Sequence, residues 1–175
     1  LNKHILASAQ TGTGKTAAFV LPILEVLLHD KNKVRGPRVL IVSPTRELAN
    51  QITDSVKKYA RYTNINSATV VGGMSYKLQN KLLSKPLDIL IATPGRLLDL
   101  FKQGKIKFKD TKVMILDEAD KMLDMGFVPD IRKIFNATTK QQQMLMFSAT
   151  LDNAVSKIAS EFLTNPLTIS IKPDT

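Results

Sequence analysis

Seven short apolar runs punctuate the chain: HILASA, RVLIVS, SATVV, LDILIA, KVMILD, QMLMFS and LTISI. Most lack polar alternation. A strand with one wet face alternates apolar and polar residues, whereas a strand buried on both faces does not. The segments between the runs carry a 3.6-residue period instead. From Arg46 to Tyr62, Leu48, Ile52, Val56 and Tyr59 share one face, with Asp54, Lys57, Lys58 and Arg61 elsewhere. From Asp152, placed as an N-cap, Val155, Ile158, Ala159 and Phe162 form a second stripe. Strand–helix alternation of this kind predicts an α/β fold, with a mostly parallel central sheet of about seven strands and helices on both faces. The 175 residues fit one domain, 1–175, with a sizeable core.

Composition narrows the class further. No run of eighteen apolar residues exists, and AAFVLPILEVLL is broken by Pro22 and Glu25, so no membrane span or signal peptide is expected. The helix holding that stretch is apolar nearly all round and is expected to be deeply buried and bent at Pro22. The chain has no cysteine, which excludes disulfides and thiolate metal sites and suits a cytoplasmic protein, or a nuclear one in a eukaryote. A net charge of +10 points to a polyanionic partner such as nucleic acid. Two loops concentrate that charge: KNKVRGPR, residues 31–38, and KQGKIKFKDTK, residues 102–112. The second reads as a solvated surface loop ahead of a nucleic-acid patch. His4 and His29 are isolated, without ligand-like spacing. Met122, Met125, Met144 and Met146 read as core fillers, and Phe19, Phe127, Phe135 and Phe162 as core side chains.

Chemistry concentrates in two places. In AQTGTGKT, residues 9–16, Gly12 and Gly14 let backbone N–H groups turn inward toward phosphate oxygens. Lys15 supplies a point charge to the β- and γ-phosphates, and the Thr16 hydroxyl can bind Mg²⁺. Ala9 stands where the usual phosphate-loop pattern has glycine, so a small residue is kept. The phosphate-binding segment is thus Ala9, Gln10, Thr11, Gly12, Thr13, Gly14, Lys15 and Thr16. In KVMILDEADKML, an apolar run leads straight into Asp117 and Glu118, two carboxylates at the C-terminal end of a buried strand, where open α/β sheets bind ligands. Asp117 suits Mg²⁺, partly through water, and Glu118 suits positioning or deprotonating an attacking water. Alone, the tetrapeptide also fits an acidic helix start; beside a phosphate loop, the catalytic reading prevails.

Asp117-Glu118-Ala119-Asp120 spells DEAD, and the chain resembles the DEAD-box family of ATP-dependent RNA helicases. PTRELANQ (Pro44 to Gln51), Gly72-Gly73, TPGR (Thr93 to Arg96) and SAT (Ser148 to Thr150) follow in the family's order. The resemblance implies the first of two RecA-like lobes, a three-layer sandwich binding ATP and Mg²⁺ and coupling hydrolysis to RNA unwinding or RNA–protein remodelling. It also implies RNA-facing roles for Pro44, Thr45, Arg46, Glu47, Gly72, Gly73, Thr93, Pro94, Gly95 and Arg96. The residue chemistry agrees: Arg46 and Arg96 can pair with phosphates, and Thr45 and Thr93 offer hydroxyls to phosphate or the ribose 2′-OH. Each Thr also reads as a helix cap. Ser148 and Thr150 resemble the family's coupling element, through hydrogen bonds to Asp120.

A guanine-nucleotide switch does not fit, because no Asn-Lys pair has Asp two positions on. An RNA clamp without turnover conflicts with the intact Lys15, Thr16, Asp117 and Glu118. Family members read adenine through a glutamine and an aromatic residue upstream of the phosphate loop, and LNKHILA holds neither. The family's second lobe, with its arginine fingers, is likewise not expected within residues 1–175. Residues 1–175 alone are therefore expected to be a monomer, essentially inactive, that meets RNA mainly through its backbone.

Overall fold

Doubly buried strands need an apolar residue at every position, and the central strands meet that demand. The structure, a computed structural model, describes residues 3–9, 14–31, 34–138 and 142–170. Its strands are β1 (Ile5–Ser8), β2 (Val39–Val42), β3 (Ser67–Val70), β4 (Ile89–Ala92), β5 (Val113–Leu116), β6 (Gln143–Ser148) and β7 (Leu167–Ser170). Between them lie α1 (Lys15–His29), α2 (Arg46–Tyr59), α3 (Tyr76–Leu83), α4 (Pro94–Lys102), α5 (Ala119–Asp124), α6 (Val128–Ala137) and α7 (Asn153–Phe162). The sheet order is β3-β4-β2-β5-β6-β1-β7, and every pairing is parallel.

Successive side chains leave a strand on opposite faces, so each strand feeds two cores. Leu40, Val42, Leu90, Met114, Leu116 and Met146 meet α4, α5, α6 and α7 through Leu97, Leu98, Met122, Ile131, Ile134 and Phe162. Their neighbours Val39, Ile41, Ile89, Ile91, Ile115 and Phe147 meet α1 and α2 through Phe19, Ile23, Leu27, Ile52 and Val56. The result is the predicted three-layer sandwich.

The helix boundaries follow local chemistry. The Thr45 hydroxyl caps α2 by accepting from Leu48 N (3.2 Å), and the Asp152 carboxylate caps α7 by accepting from Val155 N (2.9 Å). Both histidines are structural: His4 Nδ1 accepts from Met144 N, and the His29 ring lies 2.8 Å from the Glu25 carbonyl. At the N-terminal edge, Arg38 is buried between Asp88 and Asp30, 2.7 and 3.5 Å away, tying the entrances of β2 and β4 together.

Four expectations need correction. Helix α1 is not deeply buried: Leu21, Val26 and Leu28 are about half exposed. Only one stripe, including Phe19, Val20, Ile23, Leu24 and Leu27, packs on the sheet. Beside it runs an apolar cleft of about 720 Å³ over the N-terminal ends of β1, β2, β5 and β6, lined by Ile5, Val39, Val113 and Leu145. Tyr59 lies at the rim of the α2 stripe and is exposed, its place in the core taken by Ala49 and Thr53. β7, at the edge of the sheet beside β1, is exposed along its length. Met125 caps the short α5 and points outward.

The stability cost of truncation should follow this burial map. Ile41→Ala, fully buried between β4 and β5, is expected to cost about 2–5 kcal/mol by urea denaturation. Leu28→Ala, on the exposed side of α1, is expected to stay within about 0.5 kcal/mol. Equal losses would contradict the one-sided packing of α1.

Candidate nucleotide and nucleic-acid site

Parallel strands all end on one edge, and every sequence-predicted site residue among the described residues lies on or just beyond that edge. Strand order sorts them. The segments after β1, β5 and β6 are the phosphate loop, DEAD and SAT; those after β2, β3 and β4 are PTRE, Gly-Gly and TPGR. In the sheet β5, β6 and β1 are adjacent, as are β3, β4 and β2. One half of the edge therefore carries the nucleotide motifs and the other half the RNA-facing ones.

In the nucleotide half, Gln10, Thr11, Gly12 and Thr13 lie outside the described residues. Their flanks are described. Ala9 is buried, and its N–H donates to the Ser148 carbonyl (3.0 Å), fixing the loop's start to β6. Gly14, in left-handed backbone geometry (φ 73°), is the N-cap of α1, so Lys15 and Thr16 open that helix. Lys15 is buried, its Nζ 3.0 Å from Asp117 Oδ1 and 3.7 Å from Glu118 Oε1. Lys121 Nζ reaches Glu118 Oε2 from the rim at 3.4 Å.

Asp117 follows β5 directly, and its N–H donates to the Val42 carbonyl. Glu118 turns the chain from β5 into α5 with φ 54° and ψ 55°. That left-handed conformation costs a non-glycine residue about 1–3 kcal/mol and recurs at functional sites. Asp117 is only 3% exposed. Burial pushes its carboxyl above the ordinary value of 3.8, Lys15 pulls the other way, and Glu118 adds to the rise. The Lys15 ammonium, 3.0 Å from Asp117 Oδ1, is that oxygen's charge partner. A buried carboxylate, with a threonine hydroxyl at the adjoining helix start, is a hard-oxygen set that suits Mg²⁺.

In the other half, Pro44 is buried, Thr45 caps α2, and Arg46 and Glu47 are exposed in its first turn. Gly73 has φ 81°, and a Cβ there would sit 3.4 Å from Arg46 Nη1, so PTRE and the double glycine meet. Gly72 and Gly95 stand in open space. Thr93 precedes α4, with Pro94 at its first position, but its hydroxyl forms no cap hydrogen bond. Arg96 Nη1 donates to Gln79 Oε1 (3.0 Å), and its guanidinium lies over the Tyr76 ring, 5.2 Å from the centroid.

Sequence reasoning missed Tyr76 and Gln79. Gln79 is fully buried although α3 is largely polar. The available signal was their i, i+3 spacing just after Gly72-Gly73, which puts both on one helix face. The expected hydrogen bond from Ser148 to Asp120 is not formed. Ser148 ends β6 between β5 and β1, where its hydroxyl is enclosed without a partner, and Thr150 is exposed.

A family model described as DEAD/DEAH box helicase matches residues 1–158. ATP-dependent RNA helicase vasa of Drosophila melanogaster is 46% identical over 173 residues, covering 97% of this chain and 26% of that protein. ATP-dependent RNA helicase SrmB of Escherichia coli is 44% identical over 175 residues, covering 99% and 39%. Among solved structures, a DEAD box protein from the hyperthermophile Methanococcus jannaschii superposes with a TM-score of 0.89 at 39% identity, covering 97% of this chain and 46% of that one. The yeast DEAD-box splicing factor Prp28 gives 0.91 at 34% identity, covering 99% and 42%. The chain thus spans less than half the length of each of these relatives.

The raised Asp117 value sets a pH dependence. Between 3.8 and the higher folded value, the native state holds a proton that the unfolded state has released. Asp117's stabilising contribution is therefore complete below 3.8 and is lost as pH rises through the folded value. Without nucleotide or divalent cation, denaturation midpoints should fall across that window, and Asp117→Asn should flatten the fall. An unchanged slope in the variant would remove Asp117 as its source.

Proposed function

The chain belongs to the DEAD/DEAH box helicase family, and from that premise we propose that it is one RecA-like ATP-binding lobe of an RNA helicase. The observation that carries the proposal is the convergence of Lys15, Asp117 and Glu118 at the strand ends, beside a second set of motifs aimed at a polyanion. In this reading ATP places its phosphates over the N-terminus of α1, where helix amides and Lys15 oppose their charge. Thr16 and Asp117 would hold Mg²⁺, which when bound neutralises charge on the phosphate oxygens.

Glu118 positions the attacking water and accepts its proton. Its left-handed turn projects it from the end of β5, and the lysines on either side hold its carboxylate. Arg46 and Arg96, with the backbone at Gly72, Gly73 and Gly95 and the uncommitted Thr93 hydroxyl, take RNA by its phosphates and sugars. Pro44, Thr45 and Glu47 shape the helix start that presents Arg46. Asp120, Ser148 and Thr150 sit at the nucleotide end of β6 and α5 as the link between the two halves. Such contacts read backbone shape and carry little sequence preference.

One lobe meets only one side of the charge that develops during phosphoryl transfer. An arginine supplied from the opposite side is typically worth roughly 10³–10⁵ in rate. The chain alone should therefore hydrolyse ATP negligibly, with or without RNA, and should show little preference for ATP over GTP in calorimetric titrations. RNA-stimulated turnover by residues 1–175 at full-length rates would overturn this.

In the full-length protein, Lys15→Ala should abolish turnover, whereas Glu118→Gln should keep ATP binding and RNA clamping. That second variant should lower turnover by about 10²–10⁴-fold. Near-normal hydrolysis by Glu118→Gln would reassign the water-positioning role.

A further inference from the structure

The two basic loops picked out in the sequence are far apart along the chain, yet they converge. Arg35, Lys85, Lys105, Lys107 and Lys109 line one cleft of about 270 Å³ at the N-terminal edge of the sheet, opposite the nucleotide motifs. We propose that this cleft extends the RNA path, taking the phosphate backbone of a strand that has already passed Arg96. The inference rests on the RNA-binding reading of the chain.

Local sequence builds the cleft. In KIKFK, residues 105–109, Ile106 and Phe108 are buried and the three lysines are exposed, so alternation sends Lys105, Lys107 and Lys109 to one side. Phe108 stacks on Phe101 of α4, ring centroids 5.3 Å apart, which anchors the segment. Arg35 and Gly36 in the other loop are fixed as well. Leu87 N donates to the Arg35 carbonyl, and a Cβ on Gly36 would fall 1.8 Å from the Leu87 carbonyl oxygen. Only glycine permits that approach, and it holds Arg35 beside Lys85.

Five cations face one carboxylate in the lining. Among the described residues no ion pair reaches Arg35, Lys85, Lys107 or Lys109. The one carboxylate in the cleft, Asp110, accepts from Gly36 N at 3.2 Å. Like charges gathered without partners gain most from a polyanion.

Continuity with the motif-lined edge favours RNA over an acidic protein. The Tyr76 ring is 60% exposed and carries two cations: Arg96 at 5.2 Å and Lys105 at 5.6 Å from its centroid. Arg96 belongs to TPGR and Lys105 to the cleft, so one aromatic ring joins the two positive surfaces. Asp99, the acid on the exposed face of α4, makes no ion pair with either. A docked protein segment would also want apolar anchor sites, but Leu87 and Ile106 in the cleft lining are sealed in the core and Leu83 alone is partly exposed.

The test is fluorescence anisotropy with oligouridine of increasing length across a salt series, on the chain and on Lys85→Gln/Lys107→Gln/Lys109→Gln. For the unmodified chain, affinity and salt slope should both rise with length. The triple variant should lose that rise, its slope with the longest oligomer falling by about 2, as for three phosphate contacts on a single strand. Binding of the shortest oligomer should not change. The matching Lys→Arg triple variant, which keeps the charge, should restore the slope, separating charge loss from misfolding.

A slope unchanged in the Gln variant would overturn the extended path while leaving RNA binding at Arg46 and Arg96 intact. Failure of the unmodified chain to bind even short oligomers would instead sink the RNA reading itself. Loss of polyglutamate binding with long-RNA binding retained would overturn the proposal in favour of a protein-docking surface.

Discussion

A parallel strand pair cannot be closed by a tight turn; the chain must cross the sheet and start again from the same end. Repeated across seven strands, that constraint delivers every strand exit to one edge, along with the first turn of each following helix. Helix starts carry free N–H groups and a positive dipole end. An edge collecting the starts of α1, α2, α4 and α5 is therefore disposed toward phosphates before any side chain is considered. The side chains then divide the labour, because the sheet order keeps the exits of β3, β4 and β2 apart from those of β5, β6 and β1.

The nucleotide half carries an electrostatic imbalance that defines what it can accept. Lys15, Asp117 and Glu118 are all buried, one ammonium against two carboxylates, with Lys121 compensating only at the rim. Buried charges need close partners to offset lost hydration, and the rise in the Asp117 carboxyl value shows that Lys15 offsets it incompletely. A triphosphate alone would add negative charge beside Asp117 and Glu118. In the proposed reading, a cation held by Thr16 and Asp117 would offset that added charge. Lys15 alone, already shared between two acids, cannot neutralise both sides.

Much of this was legible in the sequence, and the exceptions have physical causes. The strands were legible because burial on both faces demands unbroken apolar runs; α2 and α7 were legible from one stripe and one cap each. Helix α1 misled because an apolar surface all round is a statement about composition, while burial depends on which neighbours the helix has. Tyr76, Gln79 and the KIKFK segment were illegible for the opposite reason. Their roles come from the approach of α3, α4 and the segment beyond it, and no spacing along the chain announces that Lys105 and Arg96 share a ring. In KIKFK the lysines drew attention as surface charge, although Ile106 and Phe108 between them are what orient those lysines.

The orphaned polar atoms are the remaining clue to how the edge works. Two buried hydroxyls without hydrogen-bond partners, Ser43 Oγ and Ser148 Oγ, flank Asp117, whose Oδ1 meets Lys15 Nζ at 3.0 Å. Ser43 directly follows β2, Asp117 directly follows β5 and Ser148 ends β6, and these three strands are adjacent. The two hydroxyls and Asp117 therefore form a row across the junction between the two halves of the edge. Each unsatisfied buried group costs about 1–3 kcal/mol, and Glu118 adds a strained backbone beside them. Ser148 ties the phosphate loop through its carbonyl, held by Ala9 N, and leaves its hydroxyl uncommitted. Ser43 stands immediately before the segment that presents Arg46. In the proposed coupling, this row lies between the nucleotide motifs and Arg46, with two hydroxyls still free to form hydrogen bonds.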